Sequence, residues 1–224
     1  MKLLFLFLSF ASFLSAQQED RTFRTLFLNG SHRDGAQYHL FDGEVSQKIE
    51  LPRLNLSPVY QLRPGNLKLS LVDKPIDDVN NLPEDAPSVV IPASLSDFYL
   101  IVSSDPTNKV MPMRLQVVNA SSERIGRGEM LWFNLTAKAI AGKIGSRVLK
   151  LGPGKSSLLR EPATKKGGYP VELYFQTSED ERVHPLIESQ WRHDPRSRSI
   201  VFVFDHGSRK APKIMAFSDF RLPR

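Results

Sequence analysis

The sequence predicts an all-β fold, built as one or two antiparallel β-sandwich domains. Apolar and polar residues alternate in runs of about four to eight, the pattern of half-buried strands. Gly, Pro, Asn and Asp separate these runs, and helical periodicity is nearly absent. Strands at this spacing are typical of sandwiches and barrels.

The alternation places the candidate strands in order along the chain. They are 23–28, 37–41, 45–51, 58–62, 66–72, 89–91, 98–102, 114–118, 130–135, 147–151, 156–159, 171–176, 188–193, 200–204 and 214–217. Asp42-Gly43 predicts a short hairpin, because both residues tolerate positive φ. Residues 63–66 and 152–154 predict tight turns. Residues 137–144 fit a helical turn or an edge strand, and no convincing internal repeat is visible.

The N-terminus predicts export. Lys2 precedes an apolar run, and small residues end it at Ala16, so we expect residues 1–16 to be a signal peptide cleaved after Ala16. A retained signal anchor is the alternative. After cleavage we expect no integral membrane segment and a periplasmic, cell-surface or secreted protein. The predicted units are a β-domain at 17–75, a linker or long crossing at 76–96, and a β-sandwich domain at 97–224.

Composition narrows the possible chemistry. The chain has no cysteine, which excludes thiolate metal sites, a cysteine nucleophile and a lipidated cysteine. Without residues 1–16 it carries 29 Lys and Arg against 24 Asp and Glu, a net charge of +5. This moderate basic excess would favour anionic surfaces, and the alternative is that it serves only solubility. Export argues against nucleic acid as a partner, and so does the lack of helix-turn-helix, RNP and zinc-finger patterns.

Basic residues concentrate in the second part of the chain. We predict possible anionic-ligand contacts there; the residues are Lys143, Arg147, Lys150, Lys155, Arg192, Arg196 and Arg198. The alternative is that these side chains only guard strand edges against aggregation.

A second hypothesis concerns histidine. Antiparallel pairing of 188–193 with 200–206 would bring together the following residues: His184, Glu188, His193, Asp205 and His206. Such a cluster could bind zinc or act as general acid and base. The spacing matches no zinc signature, and scattered surface histidines are the alternative. We assign no catalytic, cofactor or metal residue.

The two tryptophans suggest sugar stacking, because aromatic rings stack on sugar faces. Trp132 lies in an apolar run, which predicts burial in the core. Trp191 has polar neighbours and fits either partial exposure or a buried indole.

Two segments resemble known exported sandwiches. Residues 60–69, Y-Q-L-R-P-G-N-L-K-L, look like the Y-x-L-x-P-G-x-x-x-L turn of immunoglobulin-like domains in exported bacterial proteins. L-W-F-N-L-T at 131–136, followed by L-G-P-G at 151–154, is similar to chaperone-like and transglutaminase-associated sandwiches. The resemblance implies immunoglobulin-like β-sandwiches. It supplies no site residues, and the basic anchor pair of periplasmic pilus chaperones has no counterpart here.

We therefore expect a bacterial, exported, non-catalytic envelope or surface interaction protein without a cofactor. Its expected partner is a protein or an envelope polymer. One alternative is a binding protein for an anionic glycan or lipid, which would use the basic C-terminal domain. The other is an enzyme or metal-binding protein that uses the region from His184 to His206.

Overall fold

A computed structural model describes residues 21–29, 37–163, 165–177, 180, 182–205 and 210–220. The predicted signal peptide lies outside this part of the chain. The described residues form sixteen β-strands and one turn of 3₁₀-helix, Val79–Asn81, so the all-β prediction is confirmed. No helix in these residues is long and apolar enough to cross a membrane.

The strands agree closely with the sequence pattern. They are β1 (Arg21–Phe27), β2 (Tyr38–Phe41), β3 (Ser46–Ile49), β4 (Tyr60–Leu62), β5 (Leu67–Val72), β6 (Ser88–Ile91), β7 (Asp97–Ser104), β8 (Met113–Asn119), β9 (Met130–Asn134), β10 (Ala139–Ile144), β11 (Arg147–Leu151), β12 (Ser156–Leu159), β13 (Gly167–Gln176), β14 (His184–His193), β15 (Arg198–Phe204) and β16 (Lys213–Asp219). Every predicted strand overlaps one of these, and the undecided segment 137–144 contains β10.

The strands form four sheets of four. The first outer sheet has the order β3-β2-β5-β6, and the first inner sheet has the order β4-β1-β7-β8. The second inner sheet, β12-β9-β15-β16, and the second outer sheet, β11-β10-β13-β14, repeat these orders with each strand number raised by eight. Even the exceptional parallel pairs, β1 with β7 and β9 with β15, correspond. The chain is thus a tandem structural repeat, which the sequence did not reveal.

Matching hydrogen bonds align the two repeats residue by residue. The backbone N–H of Leu28 donates to the carbonyl of Val102 at 2.9 Å, and that of Leu135 donates to Val203 at 2.8 Å. Positions in β9 therefore lie 107 residues after their equivalents in β1, and positions in β15 lie 101 after those in β7.

The sheet pairing divides the strands differently from the predicted units. Residues 97–119 were predicted to begin the second unit, but β7 pairs with β1 and β8 pairs with β7. Residues 120–129 connect β8, the last strand of the first sandwich, to β9, the first strand of the second. Residues 73–87 connect β5 to its antiparallel neighbour β6, so this Pro-rich segment is a long crossing inside the first sandwich.

The predicted hairpin between β2 and β3 is present, but its turn is different. The loop contains four residues, 42–45, and only Gly43 has positive φ, at +98°. The Asp42 carboxylate accepts hydrogen bonds from the backbone of Glu44 at 2.9 Å and Val45 at 2.8 Å. This side-chain capping replaces the two-residue primed turn that the sequence predicted.

Three apolar cores separate the four sheets. One core lies inside each sandwich, and a third, the central core, lies between the two inner sheets. The buried residues of the central core are Leu26, Leu28, Leu56, Tyr99, Ile101, Val118, Ala120, Ile125, Leu131, Ile200, Phe202, Phe204 and Phe217. The inner strands are thus covered on both faces. This is why 98–102 and 200–204 are continuous apolar runs and do not alternate.

Candidate functional site

Arg198 lies fully buried where the two sandwiches meet. Its Nη2 donates to Asp97 Oδ2 at 2.8 Å and to Asp219 Oδ2 at 3.3 Å. Its Nη1 donates to the backbone oxygen of Ala120. Burial opposes the charge of the guanidinium, but the interactions with Tyr99, Asp97 and Asp219 outweigh burial and raise the pKa of Arg198.

Two more residues complete this buried ion cluster. Arg24 Nη1 lies 2.9 Å from Asp219 Oδ1, and the Tyr99 hydroxyl donates to Asp219 Oδ2 at 2.6 Å. Two arginines and two aspartates balance in formal charge. Asp97 and Arg198 occupy equivalent positions of the two repeats, so their ion pair joins one position to its own counterpart. The cluster joins the two sandwiches. Because Arg198 is buried in it, the prediction that Arg198 contacts an anionic ligand is wrong.

The two sandwiches differ in net charge. Residues 17–119 contain 10 Lys and Arg against 13 Asp and Glu, a net charge of −3. Residues 120–224 contain 19 against 11, a net charge of +8. The whole basic excess therefore belongs to the second sandwich and the segment that leads into it.

Many of these cations lie at one end of the second sandwich. There β13 begins and β10, β12 and β14 end, and the short turn 194–197 leads from β14 into β15. The Gly128 backbone N–H donates to the carbonyl of Ser197 at 2.7 Å, which holds the segment 120–129 at this end. The exposed cations of this basic end are Arg124, Arg127, Arg147, Arg160, Lys165, Lys166, Arg192 and Arg196.

The nearby carboxylates neutralise only part of that charge. They are Glu123, Glu129, Glu161 and Asp194. Asp194 accepts two hydrogen bonds from the Arg196 guanidinium, at 2.8 and 3.1 Å, and lies 3.6 Å from Lys166 Nζ. The side-chain and backbone hydrogen bonds from Arg196 hold the pKa of Asp194 far below its usual range. Eight cations against four carboxylates leave the basic end with a net positive charge.

An open cleft of about 450 Å³ lies at the basic end. Its charged lining residues are Arg127, Arg147, Arg160, Glu123, Glu129 and Glu161. Arg160 Nε lies 3.6 Å from Glu129 Oε1, and Arg147 Nε donates to the backbone oxygen of Glu161 at 3.4 Å. The three arginines and three glutamates balance in formal charge, but all three arginines are exposed and keep guanidinium N–H donors outside these contacts.

A tight backbone contact positions Arg147 in this cleft. The turn between β10 and β11 is tied down by hydrogen bonds from Gly145 N–H to Pro170 O, 2.8 Å, and from Ser146 N–H to Pro162 O, 3.2 Å. Gly145 has φ +57°, and a Cβ there would lie 2.0 Å from the Pro162 oxygen. Only glycine allows this approach.

The structure brings together part of the predicted anionic-ligand set. Arg147, Arg192 and Arg196 lie at the basic end, and Lys143 lies on the adjoining outer face. Lys150 and Lys155 lie towards the opposite end. The prediction missed Arg124 and Arg127, because their loop reaches this end through long-range backbone hydrogen bonds, such as those from Gly128 to Ser197 and from Ser199 to Glu129, that the sequence does not show.

The predicted histidine cluster does not assemble. The expected pairing of 188–193 with 200–206 is wrong, because β14 and β15 belong to different sheets. His184 and His193 begin and end β14, about 30 Å apart for a strand of this length. His184 Nε2 lies 3.1 Å from Asp180 Oδ2, whereas His193 is buried edge-on to Tyr169.

The other members of that cluster are also apart. Asp205 accepts a hydrogen bond from Lys138 Nζ at 2.5 Å, and Glu188 lies exposed in the middle of β14. His206 lies outside the described residues. Within the described part of the chain, no group of three His, Asp or Glu side chains could hold a metal ion.

The tryptophans are used for packing. Trp132 is fully buried, as predicted, and its ring stacks on Trp191 with centroids 5.8 Å apart and planes 3° from parallel. Both belong to the core inside the second sandwich. An aromatic residue that the prediction missed is exposed instead: Tyr174, on the outward face of β13, is 42% exposed.

Comparison with known proteins gives no family to which these features can be assigned. No family model matches the chain, and no curated protein matches it by sequence. The function is therefore inferred from the geometry and charge described above.

Proposed function

We propose that this protein is an exported, non-catalytic binding protein that holds an acidic polysaccharide against the basic end of its second sandwich. The observation that carries the proposal is the charge difference between two sandwiches of the same strand order, −3 against +8. The first sandwich shows that this strand order needs no excess of cations. The extra cations of the second are therefore available for a partner.

The chemistry of the cleft suits a carboxylated or sulfated polymer. Arg127, Arg147 and Arg160 present planar guanidinium groups, which bind carboxylate, sulfate and phosphate oxygens in pairs. A glycan is favoured over nucleic acid by the export prediction. Several exposed cations along one end also fit a long, repeating anion better than a small one.

The location of the buried charges supports a binding role. Reaction centres place perturbed ionisable groups in a cleft that substrate can enter. In this chain, Arg198, whose pKa is raised, bonds to Asp97 and Asp219 between the sandwiches and is closed to solvent. The open cleft holds exposed arginines, whose permanent charge suits binding.

The test compares two triple variants that each remove three positive charges from the second sandwich. Arg127→Gln, Arg147→Gln and Arg160→Gln alter the cleft. Lys155→Gln, Lys210→Gln and Lys213→Gln alter exposed lysines near the opposite end. Binding to polygalacturonate is measured by affinity electrophoresis and calorimetry at low and high salt.

We expect the unaltered protein to bind at low salt and to release the polymer at high salt, because screening weakens exposed charges. The cleft variant should lose about tenfold or more in affinity, and the lysine variant about threefold or less. Equal losses of affinity in both variants would show that binding depends only on total positive charge. That result would contradict the proposal. Binding to anionic lipid vesicles but not to polygalacturonate would also contradict it and would assign the basic end to a lipid.

A further inference from the structure

The outer face of the second outer sheet presents an exposed aromatic ring at its centre. Tyr174 lies on β13, which has a neighbouring strand on each side. Leu173 and Phe175, before and after it, pack into the core inside the second sandwich. Strand alternation therefore directs Tyr174 outward, where 42% of it is exposed.

The cross-strand neighbours of Tyr174 leave part of it exposed to solvent. Cross-strand pairing places Ala141 on one side, with Lys150 beyond it, and Pro185 on the other side. The methyl group of Ala141 is too short to cover a phenol ring. The exposed Pro185 adds a second flat apolar ring to the same row. The row is thus a shallow apolar strip that ends in a cation.

A β-bulge produces this arrangement. Leu173 pairs with Ile187 and Tyr174 pairs with Pro185, so the register skips Leu186 on β14. Leu186 and Ile187 both pack against the core inside the second sandwich. The extra residue sends Leu186 inward and brings Pro185 beside Tyr174. Bulges that redirect side chains in this way are common next to binding and active sites.

Polar groups lie on the next row of the same face. Lys143 and Glu172 are directly opposite each other on β10 and β13, two residues or about 7 Å along the strands from Ala141 and Tyr174. They supply a hydrogen-bond donor and an acceptor beside the ring. Lys143 also lies between Tyr174 and the turn that leads to Arg147, so this face adjoins the basic end.

We propose that Tyr174 is a stacking platform for a pyranose ring of the polysaccharide. One face of a pyranose carries C–H groups with slight positive charge, which match the negative face of an aromatic ring. Lys150 and Lys143 then lie where they can meet acidic groups of the sugar chain. This inference rests on the proposed function for its ligand, and it adds the recognition of sugar rings to the recognition of charge.

The test uses three single variants and three polymers. Tyr174→Ala removes the ring, Tyr174→Phe keeps it, and Val148→Ala is the control, an exposed residue on the same sheet face. The polymers are polygalacturonate, poly-L-glutamate as an anion without sugar, and dextran as a sugar without charge. Circular dichroism checks that each variant is folded.

We expect Tyr174→Ala to weaken polygalacturonate binding about tenfold, and Tyr174→Phe and Val148→Ala to change it by less than about threefold. Binding of poly-L-glutamate should be unchanged in all three. If Tyr174→Ala leaves polygalacturonate binding unchanged while the cleft variant loses it, the platform is overturned and the basic end is retained. If Tyr174→Ala weakens it while the cleft variant does not, the platform is retained and the basic end is overturned. If the unaltered protein binds none of the three polymers, both the stacking platform and the role of the basic end are overturned.

Discussion

The two sandwiches share one strand order but fill equivalent positions with different chemistry. Phe27 in β1 corresponds to Asn134 in β9. Phe27 is fully buried in the core inside the first sandwich. Asn134 is equally buried, but its amide donates to the carbonyls of Lys138, Leu151 and Gly152, at 2.6 to 3.2 Å. A sheet position thus accepts an aromatic or an amide, provided that the amide finds all its partners.

The two sandwiches also differ in their charge. The strand pairing is the same, whereas the net charge changes from −3 to +8. Most of the cations at the basic end lie in loops and at strand ends, where substitutions leave the sheets intact. The repeat therefore preserves backbone pairing while its loops and strand ends carry different charges.

The contact between the sandwiches gives the largest expected effect. Arg198→Met should lower the free energy of unfolding by about 3–5 kcal/mol, because the buried carboxylates of Asp97 and Asp219 each lose an ion-pair partner. Arg196→Met is the matched control. Its side chain is 69% exposed and pairs with Asp194 at the surface, so its loss should cost far less than the loss of Arg198. Urea unfolding measures both, and similar losses would mean that the ion cluster does not hold the sandwiches together.

Substitutions at Phe27 and Asn134, the equivalent positions of β1 and β9, compare apolar with polar stabilisation. Phe27→Ala should cost about 3–5 kcal/mol through the cavity it leaves. Asn134→Ala should cost about 1–3 kcal/mol, because three carbonyls lose a donor. Leu54→Ala, at a residue 85% exposed, should change the free energy of unfolding by less than about 0.5 kcal/mol. A larger cost for Asn134→Ala than for Phe27→Ala would reverse this comparison.

Two turn glycines of the second sandwich, Gly145 at the cleft and Gly154 at the opposite end, test the packing that holds the Gly145 turn. Both have positive φ, +57° for Gly145 and +64° for Gly154, so alanine should cost about 1–2 kcal/mol at each. Only at Gly145 does a Cβ meet backbone, 2.0 Å from Pro162 O, whereas nothing lies within 4 Å at Gly154. Thermal unfolding should therefore show the larger loss for Gly145→Ala. Equal losses would show that the turn is free to move away from Pro162.

The core inside the second sandwich should make stability sensitive to alkali. Burial raises the pKa of Tyr169 from 10.0 to about 12. Because the folded state holds this proton more tightly than the unfolded state, the stabilisation is complete below pH 10 and is lost as the pH rises towards 12. Between pH 9 and pH 11.5, the free energy of unfolding should therefore fall by about 2 kcal/mol less in Tyr169→Phe than in the unaltered protein. Urea unfolding at pH 9 and pH 11.5 checks this, and parallel losses in the two proteins would count against it.

The sequence predicted the strands well, because alternation and turn residues are local signals. The stacking of the sheets was not predicted. The continuous apolar runs at 98–102 and 200–204 were the available sign of strands buried on both faces. The repeat was hidden because equivalent positions hold unlike residues, such as Phe27 and Asn134.

The site was predicted only in part for a similar reason. Arg147, Arg192 and Arg196 follow from the basic composition of their segments. The burial of Arg198 depends on Asp97, 101 residues away, and on Asp219, 21 residues away. Such partners are visible only when the folded chain brings them together. Composition therefore identified the basic sandwich but not which of its cations lie together at the basic end.

The most direct test concerns the claim that four stacked sheets form one cooperative unit. Both tryptophans, Trp132 and Trp191, lie in the second sandwich, so their fluorescence follows that half of the chain. Hydrogen exchange of β5 and β7 follows the other half. Because the central core and the Arg198 ion cluster join the halves, the two probes should give the same urea midpoint. Two separate midpoints would show that the sandwiches unfold independently and would contradict the account.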